Sequence, residues 1–440
     1  MKHMKNLIYI FSCALLLLFH SCRPSKPERM ERLLNQWHGK EIQFPKDVKF
    51  TVYGEDTVEM IHFMIYVFCV FLGILFGSCQ QNPKQQNTFI EKSDSVLRIC
   101  GIKTLKYGEM DYLVCGLIRY CESEGKRYLV QGNDALKRVL IFDYSSGNII
   151  HTSEFEGLNG EFFAYDLESA ISIINRDNSQ VTLWNDNKKN SVNIPVSVKN
   201  GAVEQFPRCE FDGCVTINGK WYFPCFRLGE YPDKMKKGSE RYPLLELDFI
   251  KEEYSFVGAY PEIYAQNNMG TLSYWLPSIC RDAHGEQILV GFRATPEILL
   301  YSPETKNCQM VSVKSVYADT IPLPLTAKGR DYFSESDSYY YYAQYSHYGS
   351  IIYDSWRKVY YRFVGIGLND WDLESHPMLQ NKKKWSVMVF DENFNKLGEQ
   401  YLGDKYNIAY HFVAPEGLFI LNKDDNEDTA TYTLFDYVGE

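Results

Sequence analysis

From Ser95 onward the chain shows short apolar runs broken by polar turns, and no stretch keeps a helical period. Examples are "KRVLIFDYSSGNIIHTSEF", "SQVTLWNDNKKNSVNIPV" and "CVTINGKWYFPCF". Runs of this length, bounded by Gly, Asn, Asp and Ser, predict strands. In the last example Asn218-Gly219 sits between alternating apolar residues and predicts a two-residue hairpin. One unit also repeats: an apolar strand, an aromatic residue or Leu, usually Asp or Asn, a polar turn, and another strand. Its copies are Ile141-Phe142-Asp143, Leu183-Trp184-Asn185, Glu246-Leu247-Asp248, Leu300-Tyr301-Ser302, Val389-Phe390-Asp391 and Leu434-Phe435-Asp436. Asp or Asn at that place can bond the backbone two residues on and so start the turn.

The copies lie 42, 63, 54, 89 and 45 residues apart. Such irregular spacing suits propeller blades with variable loops better than a solenoid with fixed rungs. The longest interval holds a further strand pair, "SIIYDSWRKVYYRF", which belongs to the fifth blade. The pattern predicts an all-β, six-bladed β-propeller over residues 95–440. Because the sixth copy lies so close to Glu440, its blade lacks an outer strand, and "VLRICGIKTL" (96–105) is the segment expected to fill the place and close the ring. A pair of β-sandwiches is the alternative, and it calls for more regular strand spacing.

Composition agrees with strands. The chain has 33 Tyr and 27 Phe against 17 Pro, and aromatic residues suit half-buried pleated surfaces. Lys+Arg 46 against Asp+Glu 56 gives a net charge of −10, with no basic stretch to follow phosphates, so nucleic acid is excluded as a partner.

Residues 1–94 read differently. "MKHMKNLIYIFSCALLLLFHSC" (1–22) has a basic start, an apolar core and Ser21-Cys22, the order of a secretory signal. A second apolar run, "MIHFMIYVFCVFLGILFGSC" (60–79), ends in Gly77-Ser78-Cys79. A polar tether, "QQNPKQQNTFIEKSD", follows over 80–94. Both endings resemble a lipobox, whose cysteine takes a lipid, so Cys22 and Cys79 are the lipid-attachment candidates and a bacterial membrane is a partner through that anchor. The alternative for 61–78 is a transmembrane helix, since its 18 residues reach the short limit for spanning. Two export signals in one polypeptide conflict, and a merged reading frame resolves the conflict. On that reading translation starts at Met60 or Met64 and Cys79 is the working anchor, while 23–59 is the truncated start of another lipoprotein. The stretch from Trp37 to Val58 resembles the opening of thioredoxin-like envelope lipoproteins, without any Cys-x-x-Cys that would carry redox chemistry.

The lipobox, the tether, "KRVLIFDYSSGNII" and "YDSWRKVYYRF" together resemble an uncharacterised family of six-bladed, TolB-like propeller lipoproteins of Gram-negative gut anaerobes. The resemblance covers roughly residues 79–440. It implies the fold and a cell-envelope location, in the outer membrane, with the periplasmic or surface face left open. It implies no activity.

No motif of nucleophilic catalysis, metalloprotease chemistry or nucleotide binding is present. "DDNEDT" (424–429) starts like a calcium loop, but position six is Thr429 and position twelve Phe435, so it reads as a solvated acidic turn. No catalytic residue, metal ligand or cofactor is assigned. The cysteines after Cys79 contain no Cys-x-x-Cys, and buried thiols are expected, with Cys115–Cys121 or Cys209–Cys214 as local bridges. The candidate binding residues come from "SYYYYAQYSHYGSIIYDSWRKVYYR" (338–362): Tyr339, Tyr341 and Tyr345 on one strand face, with Trp356, Arg357 and Arg362. They form either an aromatic and cationic platform for a glycan or peptide, or packing between blades. The expected function is a non-catalytic binding module for a glycan, peptide or envelope partner. The alternative is a propeller-type glycan hydrolase or lyase, which two facing carboxylates, or His with Tyr and Arg over a deep pocket, would favour.

Overall fold

The computed structural model describes residues 96–107, 116–134, 136–154, 161–175, 178–185, 188–195, 198–199, 202–203, 206–207, 213–226, 242–266, 272–318, 341–368, 383–423 and 429–439. The chain divides into two units, Met1–Thr88 and Phe89–Glu440, and all the described residues belong to the second. The segments 1–22, 23–59, 60–79 and 80–94, with Cys22 and Cys79, therefore lie outside the described residues, as do Tyr339 and Asp424 to Asp428. No helix among the described residues is long and apolar enough to cross a membrane.

Six antiparallel sheets follow one another along the chain as six blades. Blade 1 is Ile118–Ser123, Lys126–Asn133, Arg138–Asp143 and Ile149–Glu154; blade 2 is Glu161–Ala164, Ser169–Asn175, Asn178–Asn185 and Lys188–Pro195. In blade 3 the first strand is split into Phe206–Pro207 and Val215–Ile217, both paired with Lys220–Phe226, and Leu244–Asp248 and Glu253–Val257 complete it. Blade 4 is Ser278–Arg281, Ile288–Gly291, Glu297–Tyr301 and Cys308–Ser312. Blade 5 is His347–Asp354, Val359–Ile366, Lys384–Asp391 and Lys396–Gly403, and it contains the strand pair expected there. Blade 6 takes Tyr406–Ala414, Gly417–Asn422 and Thr429–Tyr437 from the end of the chain, and its outer strand, Leu97–Lys106, from the beginning.

That last pairing closes the ring as expected. Leu97 faces Tyr437 and Lys106 faces Thr429, with one bulge between Ile99 and Gly101. A closed ring leaves the sheets few exposed edges.

All six copies of the repeat end the third strand of a blade. At Asp143, Asp248 and Asp391 the carboxylate accepts backbone N–H bonds from the turn it starts, for instance Ser146 N to Asp143 Oδ1 at 2.7 Å and Lys251 N to Asp248 Oδ1 at 3.0 Å. Asp436 in the sixth copy has no such turn to cap. Its carboxylate accepts from Arg357 of blade 5 at 2.8 Å instead. The hairpin at Asn218-Gly219 is also as expected, with φ of 52° and 77°. Two positive φ values in sequence mark the two-residue turn whose twist matches that of its strands.

The core is a set of six seams, one between each pair of neighbouring blades. Leu105, Phe142, Phe412 and Tyr432 fill the seam between blades 6 and 1, and Tyr222, Tyr264, Tyr274 and Tyr301 that between blades 3 and 4. The high aromatic content is spent on these wedges, since interiors pack to crystal-like density. The seam between blades 1 and 2 is tighter: a Cβ on Gly132 would lie 2.6 Å from the Ala164 nitrogen and 2.8 Å from the Phe163 Cα. Only a residue without a side chain lets the two blades approach so closely.

Candidate functional site

The first strands of the blades face the central channel, and there they enclose a cavity of about 670 Å³. Its wall takes Ile118 to Tyr120 from blade 1, Tyr165 from blade 2, Cys214 to Thr216 from blade 3, Ile279 to Gly285 from blade 4, Ile351 to Tyr353 with Ser355 and Trp356 from blade 5, and His411 to Val413 from blade 6. A volume of this order holds a small organic ligand.

Strand periodicity places the polar groups. In blade 1, Ile118 and Tyr120 pack into the seam with blade 6, while Cys121 packs into the seam with blade 2. The period of two sends Arg119 to the blade 2 side as well. The Arg119 guanidinium lies 5.1 Å over the Tyr165 ring and reaches blade 3, where it donates a long 3.5 Å bond to the Cys214 carbonyl. Gly213 makes room: at φ +68° it is a glycine position, and a Cβ there would lie 2.3 Å from Arg119 Nη2. Arg119 Nε is buried without a hydrogen-bond partner.

Arg281 closes the first strand of blade 4 and donates to the Gly285 carbonyl at 3.2 Å. Asp282 is the one carboxylate residue among the described residues of the wall, and its Oδ1 accepts from Glu286 N and Gln287 N at 2.7 and 2.8 Å. Trp356 is 48% exposed, with its ring edge-on to Tyr120 at 5.6 Å. His411 donates through Nδ1 to the Ile408 carbonyl at 2.8 Å, since a carbonyl can only accept. Burial pushes its pKa down to about 4, so it stays neutral near pH 7.

Of the five described candidate binding residues, Trp356 alone lines this cavity, and the five do not form one surface. Residues 341–344 are a helical turn rather than a strand. Tyr341 is 2% exposed in the seam between blades 3 and 4, and Tyr345 packs against that cluster. Arg357 ties blade 5 to blade 6 through Asp436 and the Pro415 carbonyl, and it also bonds Asp354 of its own blade. Arg362 is wholly buried and donates to the carbonyls of Pro296, Phe292 and Thr295 in blade 4. The alternative of packing between blades describes Tyr341, Tyr345 and Arg362, because a wedge-shaped seam draws in bulky groups.

A second polar cluster lies apart from the cavity wall. Lys383 Nζ sits 2.6 Å from the Tyr342 carbonyl, 2.8 Å from that of Tyr345 and 2.8 Å from His347 Nδ1. His347 Nε2 lies 2.6 Å from the Tyr342 hydroxyl, to which Arg293 donates at 3.4 Å. This brings His, Tyr and Arg together, yet His347 and Lys383 are 2% and 1% exposed. Burial, and then the neighbouring cations, hold His347 well below the usual histidine range, and burial followed by Arg293 does the same to Lys383. With so little access the cluster anchors loops rather than meeting a ligand.

Cys121 and Cys214 are free thiols, not halves of local bridges, and Cys214, Cys225 and Cys280 are buried. No group of three or more His, Cys, Asp or Glu among the described residues could hold a metal ion.

A family model described as a domain of unknown function (DUF4221) matches residues 109–401. No curated protein matches the chain. Among solved structures, a DUF4221 member from Bacteroides vulgatus is similar at 18% identity and TM-score 0.63, over 78% of this chain and 98% of that one. A Bacteroides fragilis protein described as exported is similar at 11% identity and TM-score 0.46, over 79% and 97%. Regucalcin, a calcium-binding protein from Agrobacterium tumefaciens, is similar at 8% identity and TM-score 0.35, over 76% and 93%.

Proposed function

The chain belongs to the DUF4221 family, whose function is unknown, and on that premise we propose that its six-bladed propeller is a binding module that takes a glycan into the central cavity. The observation that carries this reading is the cavity itself, built from all six blades, with the half-exposed Trp356 ring at its wall. An exposed indole offers an apolar face to a sugar ring and an N–H to its hydroxyls. Binding is favoured over hydrolysis because proton-transfer cleavage of a glycosidic bond uses two facing carboxyl groups. Among the described residues of the wall Asp282 is the one carboxylate, and it is engaged by its own turn.

The test is a glycan array with the full chain in mild detergent. For any ligand that binds, Trp356→Ala is expected to weaken affinity about tenfold, roughly 1.4 kcal/mol, with an unchanged melting temperature. Undiminished affinity would remove Trp356 from the site, and conversion of a bound glycan to product would replace binding by catalysis.

The module is held at the bacterial envelope by a lipid on Cys79, the reading that Gly77-Ser78-Cys79 and the polar tether support. Labelling with a fatty-acid analogue in a Gram-negative host is expected to mark the protein and to vanish in Cys79→Ala. Equal labelling of the variant would refute that attachment site.

A further inference from the structure

We infer that the sugar taken into the central cavity carries an anionic group, and that Arg119 is the residue that holds it. The inference rests on the cavity being a glycan site, and adds the charge of the ligand. Among the described residues the other surface and seam arginines have partners: Arg98 and Arg357 meet Asp436, Arg127 meets Glu416, and Arg138 meets Glu154. Arg362 has three carbonyls. Arg119 and Arg281, both in the cavity wall, have no carboxylate in an ion pair.

Arg119 is the sharper case. A guanidinium has five N–H donors in a planar fork suited to two oxygens of an anion. Here one donor makes a marginal 3.5 Å bond, and the buried Nε–H makes none. Nε of the seam residue Arg362 is likewise without a partner, so what sets Arg119 apart is that its guanidinium stands in the cavity wall with no carboxylate beside it among the described residues. The surroundings look arranged to keep the fork in place. Tyr165 lies beneath it, and Gly213 is the one residue type that would not collide with it. Arg281 enters the wall from blade 4 on the side of blade 3, because it shares a strand face with Ile279, which packs in the seam between blades 3 and 4. The sector between the two guanidinium groups is thus bounded by Tyr165 of blade 2 and Cys214 to Thr216 of blade 3. Among the described residues of the wall the opposing charge is Asp282, and the histidines are His284, which is exposed, and His411, which is neutral. Among the described residues, two arginines against one aspartate make the wall net positive, in a chain whose net charge is −10.

The shared chemistry of such a ligand is an anion on a pyranose ring, supplied as a uronate carboxylate or as a phosphate ester. Titration calorimetry of the full chain with glucose, glucuronate and glucose 6-phosphate separates the cases. At least one anionic sugar is expected to bind tenfold or more tightly than glucose, and the gap to narrow between 50 and 500 mM salt. Arg119→Gln is expected to abolish the gap and Arg119→Lys to keep part of it, with melting temperatures close to that of the parent. Equal affinity for glucose and both anions would overturn the inference and leave the glycan reading standing. A gap that persists in Arg119→Gln would overturn the role of Arg119. Binding of none of the three would overturn the inference, and the glycan array with Trp356→Ala would then judge the parent reading separately.

Discussion

Removal of residues 1–106 is expected to leave no cooperatively folded propeller. Those residues include the outer strand of blade 6, which pairs over its whole length with Thr429–Tyr437. Leu97 is 3% exposed and Leu105 0%, and each sits in a different seam: Leu97 between blades 5 and 6, Leu105 between blades 6 and 1. Losing the strand opens both seams and bares the edge of a central sheet strand. Each buried leucine is worth about 2–5 kcal/mol on truncation, and the ladder of backbone bonds is lost with them. Whole domains are stable by only about 5–15 kcal/mol. Circular dichroism during heating should show a broad, low-amplitude transition in the truncated protein, whereas Leu105→Ala alone should keep a cooperative melt at a cost of about 3 kcal/mol. A sharp transition in the truncated chain would show that the ring does not depend on this strand.

The second large effect is expected at Arg362. Its guanidinium crosses from blade 5 to blade 4, donating at 2.9 Å to Pro296 O, 2.9 Å to Phe292 O and 3.3 Å to Thr295 O, with the Tyr348 ring 4.3 Å away. Burial lowers its pKa to about 10, which leaves it charged at neutral pH. Arg362→Ala would orphan three buried carbonyls and leave a large void, at a cost of about 3–5 kcal/mol. Arg362→Lys should recover little, because a single ammonium cannot span the same fork. Urea denaturation measures both. A ligand-binding role predicts the opposite pattern, with lost affinity and unchanged stability, and that result would restore Arg362 to a binding surface.

The difference between these two cases shows which parts of the molecule were legible in the sequence. The repeat could be read because its rule is local: at Asp143, Asp248 and Asp391 the carboxylate bonds the backbone two or three residues on, wherever its blade lies. Asn218-Gly219 was legible for the same reason. The count of copies then gave the number of blades, and the bare third strand of the last blade identified its missing neighbour. For Arg362 and Tyr341 the sequence leaves a binding platform and packing between blades both open, because alternation along a strand says which residues share a face, not whether that face meets solvent or the next blade. The helical turn at 341–344 departs from the expected strand, since it does not follow the period of two. The cavity could not be read at all. Arg119, Tyr165, Arg281 and Trp356 stand in four separate blades, each as one ordinary residue in a short strand or turn, and only ring closure brings them together. The one local trace was Gly213, a glycine beside the split first strand of blade 3, which has no meaning until Arg119 is seen beside it.

The closing strand also sets a schedule. Leu105 and Ala430 are partners in one sheet, so a ribosome must have made nearly the entire chain before that pair can form. Blades 1 to 5 draw their strands from contiguous sequence and can pair as they emerge. Until the last blade arrives, Leu97–Lys106 is a strand without a mate, and its partner edge does not yet exist. Contacts so distant in sequence are slow to form, and unpaired edges invite pairing with other chains. The ring therefore has a vulnerable interval whose length is set by synthesis rather than by the stability of the finished fold. Any factor that covers residues 97–106 during that interval governs the yield of native protein without touching the native state.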